Sequence, residues 1–373
     1  MDTGPLQAEV DMRLCFIGDA KSIHMERWAR WFAGEHEVHL LTDHPRNIEG
    51  VHIHGVGDGS GPMALYRKAR ESKRIINELR PDVLHGHYAF GYGTIGAYSG
   101  YRPLIISIWG SDLTRDSHGL LNRMVLKYTL GKADFISSFD SNLRARLSQL
   151  GFKSNVLKMR MSGIDTTMFN PDSFHESDTP AIMRGSDLGI LCIRPLRDSS
   201  NIETLIKALP TVAAEIPTVK LGLIWSEGGN QRKLMELADE MGMADRIQYI
   251  GSLDHKDMPR YLATADLIVD PYVSVHTDTD EHDQCPGLST TSMEAMACGT
   301  PVMIPKREGM RSNRPYAAFK RDDPESLAEA IIDMTEREGR MELSRRGIEY
   351  IRDNAEMGKV MTRWEQLYED VIR

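Results

Sequence analysis

The feature that most constrains this chain is an alternation of short apolar runs with segments of helical periodicity. Runs such as RLCFI and PLIISI are each followed by stretches whose apolar residues recur at helical spacing. The pattern stops at 162–187, an aperiodic stretch rich in Ser, Asp and Pro, and begins again at LGILCI. Such alternation predicts parallel α/β sheets, and 373 residues suffice for two domains of roughly 150 to 200 residues.

The predicted domains are two Rossmann-like units in tandem. We place the first at 1–170, a linker at 171–187 and the second at 188–355. The last segment, 356–373, is predicted to be a helix that packs back on the first domain. In such sheets ligands bind beyond the carboxyl ends of the strands, so a shared ligand would lie between the two domains.

Charge is distributed unevenly along the chain. Of the total of −9, residues 1–170 contribute 21 basic and 18 acidic residues, or +3, which leaves −12 for the remainder. The acidic total argues against a nucleic acid partner. One predicted helix is strongly basic, and this is either a solvated face or a surface that docks anionic lipid or a phosphorylated acceptor. Its basic residues are Arg67, Lys68, Arg70, Lys73 and Arg74.

Location follows from what the sequence lacks. No run approaches 18 apolar residues, and MDTGPLQAEVD has no features of a signal peptide. We therefore expect a cytoplasmic protein, with peripheral association at a membrane as the variant that the basic helix suggests.

Polar residues gather after three strands of the first domain. Gly18 allows a tight turn after RLCFI, before the helix that carries His24 and Arg27. DVLH is followed by His87 and Tyr88. PLIISI is followed by WGSDL, which contains Trp109 and Asp112. Three adjacent strand ends with such side chains predict a binding pocket.

The stretch 276–301, HTDTDEHDQCPGLSTTSMEAMACGTP, has three interpretations. Its acids and histidines could hold a metal ion, although a solvated loop explains them better. Ser289, Thr290 and Thr291 stand at a predicted helix start, where free amides and the helix dipole suit a diphosphate. We favour phosphate binding for the hydroxyl residues and a solvated loop for the acids.

As a set, several motifs resemble the retaining glycosyltransferases of family 4. They are SIHMERW, HGHYAFGYG, WGSDL, SGIDTTMF, RPLRDSSNIETLIKAL and GLSTTSMEAMACGTPV, in this order, across about residues 12–355. The resemblance implies the GT-B fold, in which two Rossmann-like domains face each other across a cleft. It also implies a nucleotide diphosphate sugar on the second domain, an acceptor on the first, retention of anomeric configuration, and no metal or other cofactor.

The sequence departs from the family pattern in three places. Glu294 matches the second carboxylate of the E-x7-E pair, which grips the ribose, but Pro286 stands at the position of the first. The family's Arg and Lys that neutralise the diphosphate are replaced by Arg194 and Arg197, because Ser199 and Ser200 follow and the next lysine is Lys207. Trp109 stands where many relatives have a histidine.

The resemblance and the strand-end residues together predict a transferase acting on a hydroxyl of a carbohydrate or lipid-linked acceptor. The alternatives are a non-catalytic partner subunit, or an epimerase or phosphorylase on the same fold. The candidate catalytic residues are Arg194, Arg197, His87 and Asp112. The candidate donor-binding residues are Gly18, Trp225, Ser252, Gly287, Leu288, Ser289, Thr290 and Glu294. The candidate acceptor-binding residues are His24, Arg27, Tyr88 and Trp109.

Overall fold

The structure is a computed structural model that divides the chain into two compact units. Unit 1 comprises Met1–Ser162 and Val360–Arg373, and unit 2 comprises Gly163–Lys359. Among the described helices, none is both long and apolar enough to cross a bilayer. The described residues are 12–109, 111–114, 119–139, 141–153, 155–173, 184–225, 228–272, 288–306 and 314–373.

Unit 1 is built on a seven-stranded parallel sheet in the order β3-β2-β1-β4-β5-β6-β7. Its central strands are almost entirely buried, as expected for a parallel sheet covered by helices on both faces. Its strands are β1 Arg13–Ile17, β2 Glu37–Thr42, β3 Val51–Gly55, β4 Val83–His87, β5 Leu104–Ser107, β6 Phe135–Ser137 and β7 Val156–Leu157. Its helices are α1 Ile23–Phe32, α2 Pro62–Leu79, α3 Tyr92–Ser99, α4 Ser111–Thr114, α5 Leu120–Lys132 and α6 Ser141–Gln149.

Unit 2 contains a second parallel sheet, of six strands, in the order β10-β9-β8-β11-β12-β13. Its strands are β8 Gly189–Ile193, β9 Lys220–Ile224, β10 Ile247–Gly251, β11 Leu267–Val269, β12 Val302–Pro305 and β13 Ala317–Phe319. The helices of unit 2 are α7 Ile202–Glu215, α8 Gln231–Glu240, α9 Met258–Thr264, α10 Thr290–Ala297, α11 Pro324–Asp333 and α12 Arg337–Asn354. The last helix, α13 Met357–Ile372, begins in unit 2 and continues into unit 1. The two sheets confirm the predicted pair of Rossmann-like domains.

Each sheet has one point where the strand order reverses. In unit 1 the chain builds outward from β1 to β3 and then returns to β4 on the other side of β1. In unit 2 it builds from β8 to β10 and returns to β11 beside β8. The loops that leave the two strands at such a switch point diverge, and the crevice between them is the usual ligand site of this fold class.

The boundary between the units lies earlier than the sequence suggested, at Ser162/Gly163 and not at 170. Ile164 and Phe169 are buried in the core of unit 2. The Ile164 amide donates to the carbonyl of Ala355 at 2.7 Å. A side chain at Gly163 would come within 2.3 Å of the Met357 backbone. Segment 163–170 therefore belongs to the second unit. Of the predicted linker, 174–183 lies outside the described residues.

The chain returns to unit 1 within α13, at Val360, four residues after the predicted start of the C-terminal segment. Trp364 and Tyr368 are fully buried, and Trp28 packs edge-on against Trp364 with ring centroids 5.0 Å apart. The Trp364 indole donates to the carbonyl of Arg160 at 2.7 Å. The C-terminal helix is therefore part of the core of unit 1.

Candidate functional site

Unit 1 has a cavity of about 350 Å³ at the switch point between β1 and β4. Its walls come from the loop after β1, the start of α1, the end of β4 and the loop after β5. The lining residues are Asp19, Ser22, His24, Met25, His87, Tyr88, Tyr92 and Trp109. Four predicted residues, His24, His87, Tyr88 and Trp109, are thus brought together in one place.

His87 is the unusual member of this cavity. It is 4% exposed, and neither of its ring nitrogens has a hydrogen-bond partner among the described residues. Burial lowers the pKa of His87 to about 3, so its imidazole is neutral at physiological pH. A neutral imidazole offers one N–H donor and one nitrogen acceptor. Both nitrogens of His87 therefore have unused hydrogen-bonding capacity, at buried atoms beside the cavity.

A second histidine, His85, packs against His87 and fixes its position. The rings of His85 and His87 stack with centroids 4.1 Å apart. His85 Nδ1 lies 2.7 Å from the Tyr368 hydroxyl, and its Nε2 lies 2.6 Å from Ser107 Oγ. Burial also lowers the pKa of His85 well below its ordinary value. Because both of its nitrogens have hydrogen-bond partners, His85 supports the cavity wall, and of the two stacked histidines only His87 lines the cavity.

The other predicted residues of unit 1 have different positions. His24 and Trp109 pack with ring centroids 5.7 Å apart, and Tyr88 has a positive φ of 89° where the chain leaves β4. At Gly18, an added Cβ would lie 2.6 Å from the Met25 sulfur, so this glycine allows close packing of α1.

Asp112 and Arg27 are corrections to the predicted pocket, because neither lines the cavity. The fully buried Asp112 carboxylate accepts from the amide of Ala89 at 2.9 Å and from that of Trp109 at 3.3 Å. It therefore holds two loops of the pocket together and is not itself a surface of it. Arg27 is half-buried on α1, outside the cavity lining.

Unit 2 has an ion pair at its own switch point. Arg194 follows β8 and Asp270 follows β11, and the guanidinium and carboxylate form a two-point contact. Arg194 Nε lies 2.6 Å from Asp270 Oδ1, and Nη2 lies 2.5 Å from Oδ2. The guanidinium also lies over the Tyr272 ring, 4.5 Å from its centroid. Burial opposes the charge of Arg194, but the Asp270 carboxylate outweighs it and raises the pKa.

The start of α10 meets the same carboxylate. Ser289 is the N-cap residue, and its Oγ accepts from the Ser292 amide at 3.0 Å. The hydroxyls of Ser289 and Ser292 both donate to Asp270 Oδ2, at 3.1 and 3.0 Å. The hydroxyl of Ser289 is therefore committed to capping and to Asp270. The backbone amides of the first helical turn are the groups that suit a phosphate.

Glu294 lies one turn further along α10 and is buried. Its Oε1 lies 2.9 Å from His255 Nε2, and the His255 ring packs edge-on against Phe169 at 5.1 Å. A partly exposed histidine thus stands beside the predicted ribose-binding carboxylate. A ribose hydroxyl bound to Glu294 would have to share this carboxylate with His255.

The remaining donor-side residues lie at the ends of neighbouring strands. Trp225 follows β9, donates its amide to the Gly251 carbonyl at 3.2 Å, and packs edge-on against Tyr249. Ser252 follows β10 and is exposed, as is Arg197 after β8. Leu288 and Thr290 are half-buried beside Ser289. Gly287 and the acidic loop at 276–283 lie outside the described residues.

Asp270, His255 and Tyr272 were not among the predicted site residues. Asp270 ends the run DLIVD, which occupies a strand end just as RLCFI and DVLH do. The strand-end argument applied to unit 1 would therefore have found it. His255 has no comparable signal, because it precedes α9 in a short turn. Within the described part of the chain, no three His, Cys, Asp or Glu side chains form a metal-binding group.

Family models match both units in order. A model described as glycosyl transferase 4-like matches residues 13–140, and one described as glycosyl transferases group 1 matches residues 187–337.

Among characterised relatives, the chain is similar to the GDP-mannose-dependent alpha-(1-6)-phosphatidylinositol monomannoside mannosyltransferase of Mycolicibacterium smegmatis. The two are 24% identical over 58% of this chain and 56% of the relative. It is also 19% identical to the N-acetyl-alpha-D-glucosaminyl L-malate synthase of Bacillus anthracis, over 91% of this chain and 90% of that one. The mannosyltransferase alignment thus spans about half of that relative's length.

Solved structures share the fold at low sequence identity. Sucrose-phosphate synthase from Thermosynechococcus elongatus superposes with a TM-score of 0.76 at 18% identity, over 96% of this chain and 98% of that chain. HepE of Anabaena, solved in complex with UDP, gives a TM-score of 0.76 at 15% identity, over 96% of this chain and 100% of that chain. These are GT-B structures. The chain therefore belongs to the family 4 type of glycosyltransferases, with a glycosyl transferase 4-like domain followed by a group 1 domain.

Proposed function

We propose that the protein is a retaining glycosyltransferase that moves a sugar from a nucleotide diphosphate sugar to a hydroxyl of a carbohydrate or lipid-linked acceptor. The observation that carries the proposal is the Arg194 guanidinium at the switch point of unit 2, beside the first turn of α10. A fixed positive charge and free backbone amides are the groups that a departing diphosphate requires.

On the donor side, the diphosphate would bind Arg194 and the amides at the start of α10. Arginine suits this role because its fork of N–H groups matches phosphate oxygens and stays charged. Glu294 would accept from the ribose hydroxyls, as the resemblance implies. Trp225, at the end of β9, offers an indole face for the base.

On the acceptor side, the sugar hydroxyl would enter the cavity of unit 1. Met25, Tyr92 and Trp109 give this cavity apolar walls, and His87 supplies the hydrogen bond. A sugar ring has both apolar faces and hydroxyl edges, so it matches such a lining. The relative named for a phosphatidylinositol monomannoside acceptor supports a lipid-linked acceptor here as well.

The low pKa of His87 bears on the proton transfer. A base with a pKa of about 3 is poorly matched to removing a proton at neutral pH, so His87 would orient the acceptor hydroxyl. The leaving diphosphate oxygen, held by Arg194, would then take that proton on the face where the new bond forms. Attack on the face that the leaving group vacates retains the anomeric configuration.

A transfer assay with Arg194 variants tests the proposal. We expect Arg194→Ala to lower kcat/KM at least 100-fold, because one lost charge contact of this kind costs about 3 kcal/mol in the transition state. Arg232→Ala is the control, since this arginine is exposed on α8 and forms an ion pair with Glu236 on the same helix. The wild-type product should keep the donor's anomeric configuration by NMR. Equal activity in the two variants, or an inverted product, would refute the proposal.

We also propose that turnover needs no divalent metal. The diphosphate charge would be met by Arg194 and the α10 amides, so activity should survive EDTA unchanged. Loss of turnover in EDTA that manganese or magnesium restores would return the acidic loop at 276–283 to consideration as a metal site.

A further inference from the structure

Helix α5 exposes an unusual amount of apolar surface. Leu120 is 78% exposed, Leu121 70%, Met124 61% and Tyr128 45%. These four residues lie within two turns of one helix, whereas isolated apolar residues are the norm on a protein surface.

The exposed residues form a second apolar face and are not the edge of the core. At about 100° per residue, Leu120, Leu121, Met124 and Tyr128 fall within an arc of about 100°. The buried residues of α5, Leu126, Thr129 and Leu130, occupy the opposite side of the helix. The helix therefore has one apolar side that packs on the core and a second apolar side that faces solvent. Packing within the fold does not explain the second side.

The charged residues of α5 itself are all positive. Arg123, Lys127 and Lys132 are exposed on α5, and the helix sequence LLNRMVLKYTLGK contains no acid. By the same helical geometry, Arg123 and Lys127 flank one side of the apolar arc and Lys132 flanks the other.

A second exposed aromatic and basic patch lies on α2 and α3. The Tyr66 and Tyr98 rings pack edge-on at 5.9 Å, and the Lys73 amine lies 5.9 Å from the Tyr98 ring centroid. Met63 and Tyr66 of α2 are 72% and 48% exposed, beside the exposed Arg67.

We propose that the exposed face of α5 docks unit 1 on an anionic lipid bilayer. We define the α5 face as Leu120, Leu121, Met124 and Tyr128 with the basic residues Arg123, Lys127 and Lys132. Leucine and methionine would enter the acyl boundary, tyrosine would lie at the headgroup level, and the basic residues would contact lipid phosphates. A symmetric dimer through the same face would bring its like charges together, so the charge pattern favours lipid over a second copy.

The position of α5 links docking to the acceptor site. Trp109 lines the cavity, and Leu120 follows it by only 11 positions in the chain. This link rests on the proposed function, because a lipid-linked acceptor would reach the cavity from the bilayer. Docking itself requires no sugar transfer, so the two are tested separately.

Vesicle binding by the full chain, without nucleotide sugar, tests the proposal. Wild type should cosediment with vesicles of equal parts phosphatidylcholine and phosphatidylglycerol, and not with phosphatidylcholine alone. L120S/L121S/M124S should lower the partition coefficient at least tenfold. R123Q/K127Q/K132Q should lower it on the order of 100-fold and remove its salt dependence. M235S/M241S/M341S changes three exposed methionines of unit 2 and should bind as wild type.

Each contrary outcome overturns the proposal. It fails if both α5 variants bind as wild type, or if wild type binds neutral and anionic vesicles equally. It also fails if sedimentation shows a concentration-dependent dimer that L120S/L121S/M124S dissociates, since the face would then join two copies. A protein that binds vesicles through α5 yet transfers no sugar would refute the proposed function and leave docking intact.

Discussion

At the scale of single residues, the contact between Arg194 and Asp270 sets the electrostatic character of the proposed donor site. The guanidinium already has a two-point carboxylate partner, and two serine hydroxyls bond to the same carboxylate. An incoming diphosphate would therefore add a second anion to an arginine whose charge is balanced. Asp270 keeps Arg194 in place at the cost of weakening its attraction for phosphate.

We predict that Asp270→Asn destabilises the protein and strengthens its response to nucleotide. Removing one member of a buried ion pair leaves an unbalanced charge and typically costs about 3 kcal/mol. A nucleoside diphosphate supplies the missing negative charge, so UDP or GDP should raise Tm more in this variant than in wild type. Glu203→Gln, which breaks a more exposed pair with Lys233, should destabilise the protein far less than Asp270→Asn. An equal nucleotide response in Asp270→Asn and wild type would disprove the competition.

His87 should make stability depend on pH. Its folded pKa of about 3 lies below the ordinary 6.5, so the unfolded chain binds an additional proton between these values. Stability is therefore complete above pH 6.5 and is lost as pH falls, by about 1.4 kcal/mol per pH unit for this group. The free energy of unfolding, measured by denaturant titration between about pH 7 and pH 5, should fall less steeply with decreasing pH in His87→Phe than in wild type. His85, His39 and His54, whose pKa values burial also lowers, would maintain the remaining pH dependence of stability. An unchanged pH dependence in His87→Phe would contradict the assignment.

At the scale of elements, the basic residues of α2 have different roles although they stand close together in the sequence. Lys68 is 9% exposed and contacts Asp43 at 2.6 Å, and Asp43 also accepts from the Tyr92 hydroxyl at 2.6 Å. Arg74 is exposed but paired with Glu71 and Glu78. Of the five basic residues that the sequence grouped on one docking surface, Lys68 is thus a structural residue, and Arg74 is balanced by its own helix.

This division predicts a difference between adjacent residues of α2. Lys68→Met should lower the free energy of unfolding by about 2 kcal/mol, because it leaves the Asp43 carboxylate without its cation. Arg67→Met, at an exposed position, should change it by less than about 0.5 kcal/mol. Chemical denaturation of the two variants measures both values, and equal losses would show that the buried pair contributes nothing.

The elements also show how far sequence reasoning reaches. Apolar runs such as RLCFI and LGILCI predict the strands because a parallel strand buried on both faces must be apolar throughout. Strand ends then locate both sites, since the carboxyl ends of parallel strands share one edge. Which charged side chains pair with each other cannot be predicted in this way, because the partners are distant in the sequence. Asp270 lies 76 positions from Arg194, and Lys68 is paired with Asp43, which lies outside its own helix. Segment 163–170 was misassigned for the same reason, because its contacts lie near residue 356.

At the scale of the whole molecule, unit 1 is assembled from two distant parts of the chain. The rings of Trp364 and Tyr368 pack against Trp28 and Phe16, and the Tyr368 hydroxyl contacts His85 beneath the cavity. The final helix is therefore a component of the site that the opening strands form.

We predict that removing Val360–Arg373 unfolds unit 1 selectively. Loss of two fully buried aromatic residues costs more than about 5 kcal/mol, since a single Trp or Phe truncation costs about 3 to 5 kcal/mol. Amide hydrogen exchange should then lose protection in β1 and β4, while β8 and β11 remain protected. The full-length Glu369→Ala variant, at the solvent side of α13, is the control. Retained protection in β1 after truncation would show that the first 162 residues fold alone.

The division of unit 1 between both ends of the chain also governs the order in which the protein matures on the ribosome. The ribosome adds about 5 to 20 residues per second, so roughly 200 residues of unit 2 separate the two parts of unit 1 by about 10 to 40 s. Unit 2 is complete in the nascent chain before the first unit has all of its parts. During that interval the aromatic surface around Phe16 and Trp28 has no α13 to cover it.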